Sequence, residues 1–160
     1  MILGMSPLTF LHVLISLVAI VAGLAALLAM LGGRYLPVTT GIFLAFTVLT
    51  SITGLPIKAP DVTPAQIVGW ISLAVLIVAL VALYGLRLQG AWRPVYVVTA
   101  IVALWLNCFV LIVQAFQKIG PLHMLAPNGS EPAFQIAQGV TLLVFLAAGW
   151  IALRRFRPAV

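Results

Sequence analysis

A chain of 160 residues that is 64% hydrophobic and only 6% charged cannot keep a globular surface wet, because soluble domains carry about 25% charged residues. Its net charge of +6 does not make it a nucleic-acid reader. Such a reader clusters its Lys and Arg on one face, whereas these eight lie scattered at the ends of apolar runs. With a mean hydropathy of +1.29, the chain needs lipid as its solvent, and its length fits a single transmembrane domain over 1–160.

A hydrocarbon core about 30 Å thick takes about 20 apolar residues in helix. Five segments meet that length, and together they predict an all-α bundle with spans at about 7–31, 37–57, 64–86, 94–118 and 132–156. Proline stands at or near most of these starts, where a missing N–H leaves no helical bond unmade. The first segment lacks the basic leader of a signal peptide, and its apolar run is about twice as long as a signal peptide's. It is therefore expected to stay as a span. Connections are short, so consecutive helices should be antiparallel neighbours. Five spans with no internal repeat do not divide into inverted halves, which weighs against an inverted-repeat transporter.

Arginine placement sets the expected orientation. With the N-terminus outside, the inner loops and tail hold Arg34, Arg87, Arg93, Arg154, Arg155 and Arg157, and the outer loops hold Lys58 and Lys118. The two acids, Asp61 and Glu131, also fall in outer loops. N-out, C-in follows. Tyr35, Trp92 and Tyr96 beside the inner arginines read as an interfacial belt. The outer stretch Ile119–Pro132, with three prolines and two glycines, reads as a turn-rich cap. Its Asn128-Gly129-Ser130 matches the glycosylation pattern, which carries no meaning in a bacterial cell.

Helical spacing then decides which polar groups can meet. Stepping 100° per residue from Thr99, the residues Ala103, Asn107, Gln114 and Lys118 all fall within one arc of about 100°. That face of the fourth helix should look at protein, making it the central helix of the bundle. The first helix carries a matching stripe of His12, Ser16, Ala19, Gly23, Ala26 and Met30, with Ala19-xxx-Gly23 as a close-approach contact. The second offers Thr40, Thr47, Ser51 and Gly54, and the fifth Gln135, Gln138, Phe145 and Gly149. Depth at 1.5 Å per residue places His12, Gln114 and Gln138 roughly 6–9 Å below the outer surface, level with Thr50 and Thr53. Polar side chains thus concentrate in the outer half.

Two readings of that concentration stand side by side. An ionisable residue inside a membrane is a functional hypothesis by default. His12, Thr50, Thr53, Gln114, Lys118 and Gln138 would then line a pocket for a quinone-like ligand or a lipid headgroup, with His12 or Gln138 donating to a ligand oxygen. In the other reading, His12 is a neutral imidazole bonded across helices, Lys118 snorkels to the headgroups or pairs with Glu131 or Asp61, and Gln114 and Asn107 hold helices together. Threonines of the second helix would bond back to their own carbonyls. No cofactor is expected. Haem would need two facing axial ligands, and only His12, His123 and Met124 are on hand, all toward the outer side. Spans without carboxylates and with the single thiol Cys108 suit neither metal transport nor proton pumping, and one cysteine builds no disulfide framework. Two acids and two histidines supply no triad and no paired carboxylates.

Six stretches taken together resemble a family of small uncharacterised bacterial inner-membrane proteins. They are Phe10–Ser16, Thr50–Gly54, Thr63-Pro64-Ala65, Gly90–Arg93, Asn107 followed by Val113–Phe116 and Lys118, and Leu125-Ala126-Pro127 with Ser130-Glu131-Pro132. That family carries an aromatic run and a histidine in the loop after the second span, where this chain reads Leu55-Pro56-Ile57-Lys58. The resemblance covers nearly the whole chain, implies a bacterial inner membrane and assigns no activity. The expected function is therefore that of a non-catalytic accessory or structural membrane protein with the lipid bilayer as its setting. A membrane-protein partner or a second copy is the expected neighbour, and a quinone or headgroup pocket is the alternative.

Overall fold

The computed structural model describes residues 6–54 and 64–158. Helix α1, Pro7–Leu31, begins at Ser6, whose hydroxyl accepts from the Thr9 N–H at 3.1 Å, so one of the orphan donors of the first turn is satisfied. It ends at Gly32-Gly33. There Gly33 takes φ +71° while the N–H groups of Gly33 and Arg34 bond back to Met30 and Ala29. This is a left-handed stop that glycine adopts without a Cβ clash. Helix α2 is Pro37–Gly54, α3 is Pro64–Leu80, α4 is Trp92–Lys118, α5 is the short Gly120–Leu125, and α6 is Pro132–Arg155. Among the described residues, five stretches are long and apolar enough to cross a membrane, the third running on through Gly85. Lys58 and Asp61 lie outside the described residues, as does the expected end of the second helix at 55–57.

Three local features differ from the sequence expectation. The third span does not end as a regular helix: Val81–Gly85 forms a π-turn. Arg87 and Leu88 then follow with φ of 48° and 56°. This widened turn keeps Ala82, Leu83 and Leu88 in the core while Tyr84 stays 55% exposed, so burial on both sides of the turn overrides local helical preference. The fourth helix starts at Trp92 rather than 94, because Pro94 sits within a first turn where its missing N–H is harmless. The stretch expected to be a turn-rich cap also contains a helix, α5, with Pro121 in its first turn.

The chain runs α1 against α2, α2 against α3, α3 against α4, α4 against α6, and α6 back against α1. Helix α4 also meets α1, α2 and α5. Half of its span is buried, against 17% for α6, so α4 is the interior helix. The contact between α1 and its neighbours is close enough that a Cβ on Gly23 would lie 2.5 Å from Leu104 Cδ1 and 2.7 Å from the Phe43 ring. Hence the small-residue stripe: any larger side chain there holds the backbones apart.

Tyr96 corrects the interfacial-belt reading. It is 1% exposed, and its ring centroid lies 6.0 Å from that of Phe156. The reason is the C-terminal segment, which folds Phe156 onto this end of the core with 0% exposure. Arg93 holds it there, donating to the carbonyls of Leu153 at 3.0 Å and Phe156 at 2.6 Å. Those carbonyls belong to the end of α6, where a cation also meets the negative end of the helix dipole.

Candidate functional site

At the end of the bundle where α1 begins and α2 and α4 finish, His12 Nδ1 lies 2.9 Å from Thr53 Oγ1. The Thr53 hydroxyl itself donates to the Leu49 carbonyl at 2.7 Å. It therefore accepts from the imidazole, which fixes the His12 tautomer with its proton on Nδ1. Gly54 makes this possible, because a Cβ there would lie 3.2 Å from His12 Cε1. Thr50 donates to the Phe46 carbonyl at 2.8 Å and so closes its bond within its own helix. Lys118 ends α4 within electrostatic reach of His12, and among the described residues it forms no ion pair. Gln114 is half-buried and likewise without a hydrogen bond among the described residues.

Gln138 stands apart from that group. Its Nε2 donates to the Phe109 carbonyl at 3.1 Å, joining α6 to α4, while its Oε1 is buried without a partner. Trp105 Nε1 is also buried and unpartnered. Its ring packs on Phe109 at 5.9 Å between centroids. Deeper still, Asn107 Nδ2 donates to Thr47 Oγ1 at 3.0 Å, and Thr47 donates to the Phe43 carbonyl at 2.7 Å. The chain Asn107–Thr47–Phe43 ties α4 to α2 in the middle of the bundle, with Thr47 0% and Asn107 9% exposed.

Of the six predicted site residues, two are joined by a direct hydrogen bond. His12 and Thr53 are joined directly, Lys118 is near His12, Thr50 bonds to its own helix, and Gln138 bonds to the backbone of α4. Glu131 does not meet Lys118. Its carboxylate accepts from Asn128 N, Asn128 Nδ2 and Ser130 N at 2.9–3.0 Å. Desolvation raises its pKa, but these hydrogen bonds outweigh it and hold the carboxyl below the usual carboxylate range. His123, in α5, is exposed. Among the described residues no group of three or more His, Cys, Asp or Glu gathers.

Two hollows lie at the end of α3, one of them against α2. One, of about 460 Å³, is walled by Gly41, Ala45, Val48, Leu80 and Tyr84. The other, of about 380 Å³, is bounded by Tyr35, Leu83, Tyr84 and Arg87. Sequence periodicity does not reveal them. The available signal is Gly41 and Ala45, small residues four apart on a face that α3 does not fill. The chain is a helical membrane protein; no protein-family model, curated protein or solved structure matches it.

Proposed function

We propose that this chain is a non-catalytic accessory or structural protein of the bacterial inner membrane, with its N-terminus outside and its C-terminus inside. The observation that carries the reading is how its intramembrane polar groups are used. His12 bonds to Thr53, Asn107 to Thr47 and Gln138 to the Phe109 carbonyl, each joining one helix to another. Groups committed in pairs across helices fix a scaffold and leave little free for chemistry. Support for the orientation comes from six arginines at the end that holds Arg34, Arg87 and the α6 terminus. Helix α6 presents the exposed apolar residues Ile136, Val140, Leu143 and Trp150, a face suited to a neighbouring span. A photo-crosslinking residue at Leu143 tests this in cells. Capture of one defined membrane protein, or of a second copy, is the expected result. A chain that crosslinks to nothing and runs at monomer mass in mild detergent refutes it.

A second reading keeps the quinone-like or headgroup ligand at the outer end. Its support is the set of uncommitted groups there: the Lys118 ammonium close to His12, the Gln114 amide, and the open Gln138 Oε1. Native mass spectrometry of the purified protein separates the two. A bound species that is lost in His12→Ala supports the pocket, and a ligand-free spectrum of the wild-type protein removes it.

A further inference from the structure

The two hollows at the end of α3 adjoin at Tyr84, a side chain that lines both. The larger is apolar. It extends along α2 from Gly41 to Leu49, about 12 Å at 1.5 Å per residue, from the arginine-bearing end toward the middle of the membrane. The smaller, on the other side of Tyr84, is lined by the phenols of Tyr35 and Tyr84, by Leu83 and by the guanidinium of Arg87. Arg87 is exposed and, among the described residues, has no hydrogen bond or ion pair. Three other arginines at this end are committed otherwise: Arg93 binds the α6 carbonyls, Arg155 reaches the Leu31 carbonyl, and Arg154 stacks over Trp150 at 3.8 Å; of those without a side-chain partner among the described residues, Arg87 is the one that lines the hollow. Among the described residues the one acid, Glu131, sits at the opposite end of the bundle, so no described carboxylate side chain balances this end.

We propose that this groove holds one acyl chain of an anionic phospholipid, with the phosphate at Arg87 and the hydroxyls of Tyr35 and Tyr84. A groove open to hydrocarbon is filled by apolar matter in a bilayer, because an empty one forfeits contacts on every wall. An apolar groove adjoining a cation and two hydroxyl donors matches an amphiphile with one tail inside and a negative head outside. Guanidinium suits phosphate because its fork makes two parallel charge-assisted bonds. The backbone supports a built site. Tyr84 is carried on a π-turn, a distortion frequent at functional positions, and Arg87 holds a left-handed φ that an L residue adopts only at a cost. A transmembrane helix of a partner is the weaker occupant, since it would bring apolar side chains, not a counter-charge, to Arg87.

The test is native mass spectrometry of the full chain, purified in mild detergent and offered equal amounts of phosphatidylglycerol and phosphatidylcholine with the same acyl chains. Wild type is expected to retain phosphatidylglycerol preferentially. Arg87→Gln should cut that preference about fivefold, the weight of one arginine against anionic lipid. Arg154→Gln, at the same end but stacked on Trp150, should leave it unchanged. Ala45→Trp should lower retention of both lipids by filling the groove. Arg87 and Ala45 are both exposed, so neither substitution disturbs the core, and helical content by circular dichroism checks this. Equal losses for Arg87→Gln and Arg154→Gln would mean diffuse charge and overturn the proposal. So would unchanged lipid retention in Ala45→Trp, or a dimer mass that Ala45→Trp abolishes, which would show that a helix fills the groove.

Discussion

The Asn107–Thr47 bond permits a sharp energetic test. The Thr47 hydroxyl is both an acceptor from Asn107 and a donor to the Phe43 carbonyl, so the two partners are not equivalent. Asn107→Leu replaces an amide by an apolar group of similar size and leaves Thr47 with its donor still satisfied. The cost is that of one interhelical bond, about 0.6 kcal/mol and up to ~1.7 kcal/mol in a membrane. Thr47→Val instead strands the Asn107 amide at a site where the residue is only 9% exposed. A buried polar group left unsatisfied costs about 1–3 kcal/mol. The Phe43 carbonyl keeps its own helical bond, so nothing further is lost. Removing both partners restores a uniformly apolar contact, so the double variant should be more stable than Thr47→Val alone. The assay is reversible unfolding in mixed micelles of rising SDS fraction, followed by circular dichroism and read as a double-mutant cycle. Additive effects within about 0.3 kcal/mol, the behaviour of independent sites, would refute the bond as a source of stability.

Three further outcomes follow from the structure. Gly23→Ala places a Cβ 2.5 Å from Leu104 Cδ1 and 2.7 Å from Phe43, side chains 1% and 2% exposed. It should lower stability by about 1–3 kcal/mol through overpacking in the same micelle assay, and a gain equal to alanine's helix propensity would contradict the packing. Gln138→Met gives up one bond to Phe109 and also removes a buried acceptor that has no partner. The two effects are of similar size, so stability should change by less than about 1 kcal/mol, and a loss well above that would show the Oε1 atom to be engaged. Glu131 sits below its ordinary range because of its Asn128 and Ser130 hydrogen bonds. A depressed pKa means that its contribution to loop order is complete above the ordinary glutamate value of about 4.3 and disappears as pH falls through the lower folded value. Amide exchange at Asn128 and Ser130 should accelerate across that window in wild type and show no such step in Glu131→Gln.

Much of the architecture is local in origin and therefore written in the chain. Hydropathy over about 20 residues reports lipid solubility, and proline and glycine report where helices can begin and stop, so the five spans fall close to their expected positions. Periodicity also placed Ala19, Gly23 and Ala26 on one side of α1 and Thr40, Thr47 and Ser51 on one side of α2, because side chains three and four apart share a face. What periodicity does not contain is the partner. That Asn107 meets Thr47, or that His12 meets Thr53 rather than Gln138, depends on the rotation and crossing of helices distant in sequence. Tyr96 illustrates the limit: beside Arg93 it reads as an interfacial residue, yet Phe156, some sixty residues on, covers it. The Val81–Gly85 π-turn has the same origin, since burial of Ala82, Leu83 and Leu88 is settled only once α3 packs on α4. The groove beside it is a failure of two surfaces to meet, and such a gap belongs to the packed bundle and to no segment alone. The sequence by itself determined a five-span helical protein with an arginine-rich end, and tertiary packing decided which of its polar groups bind each other and which stay free.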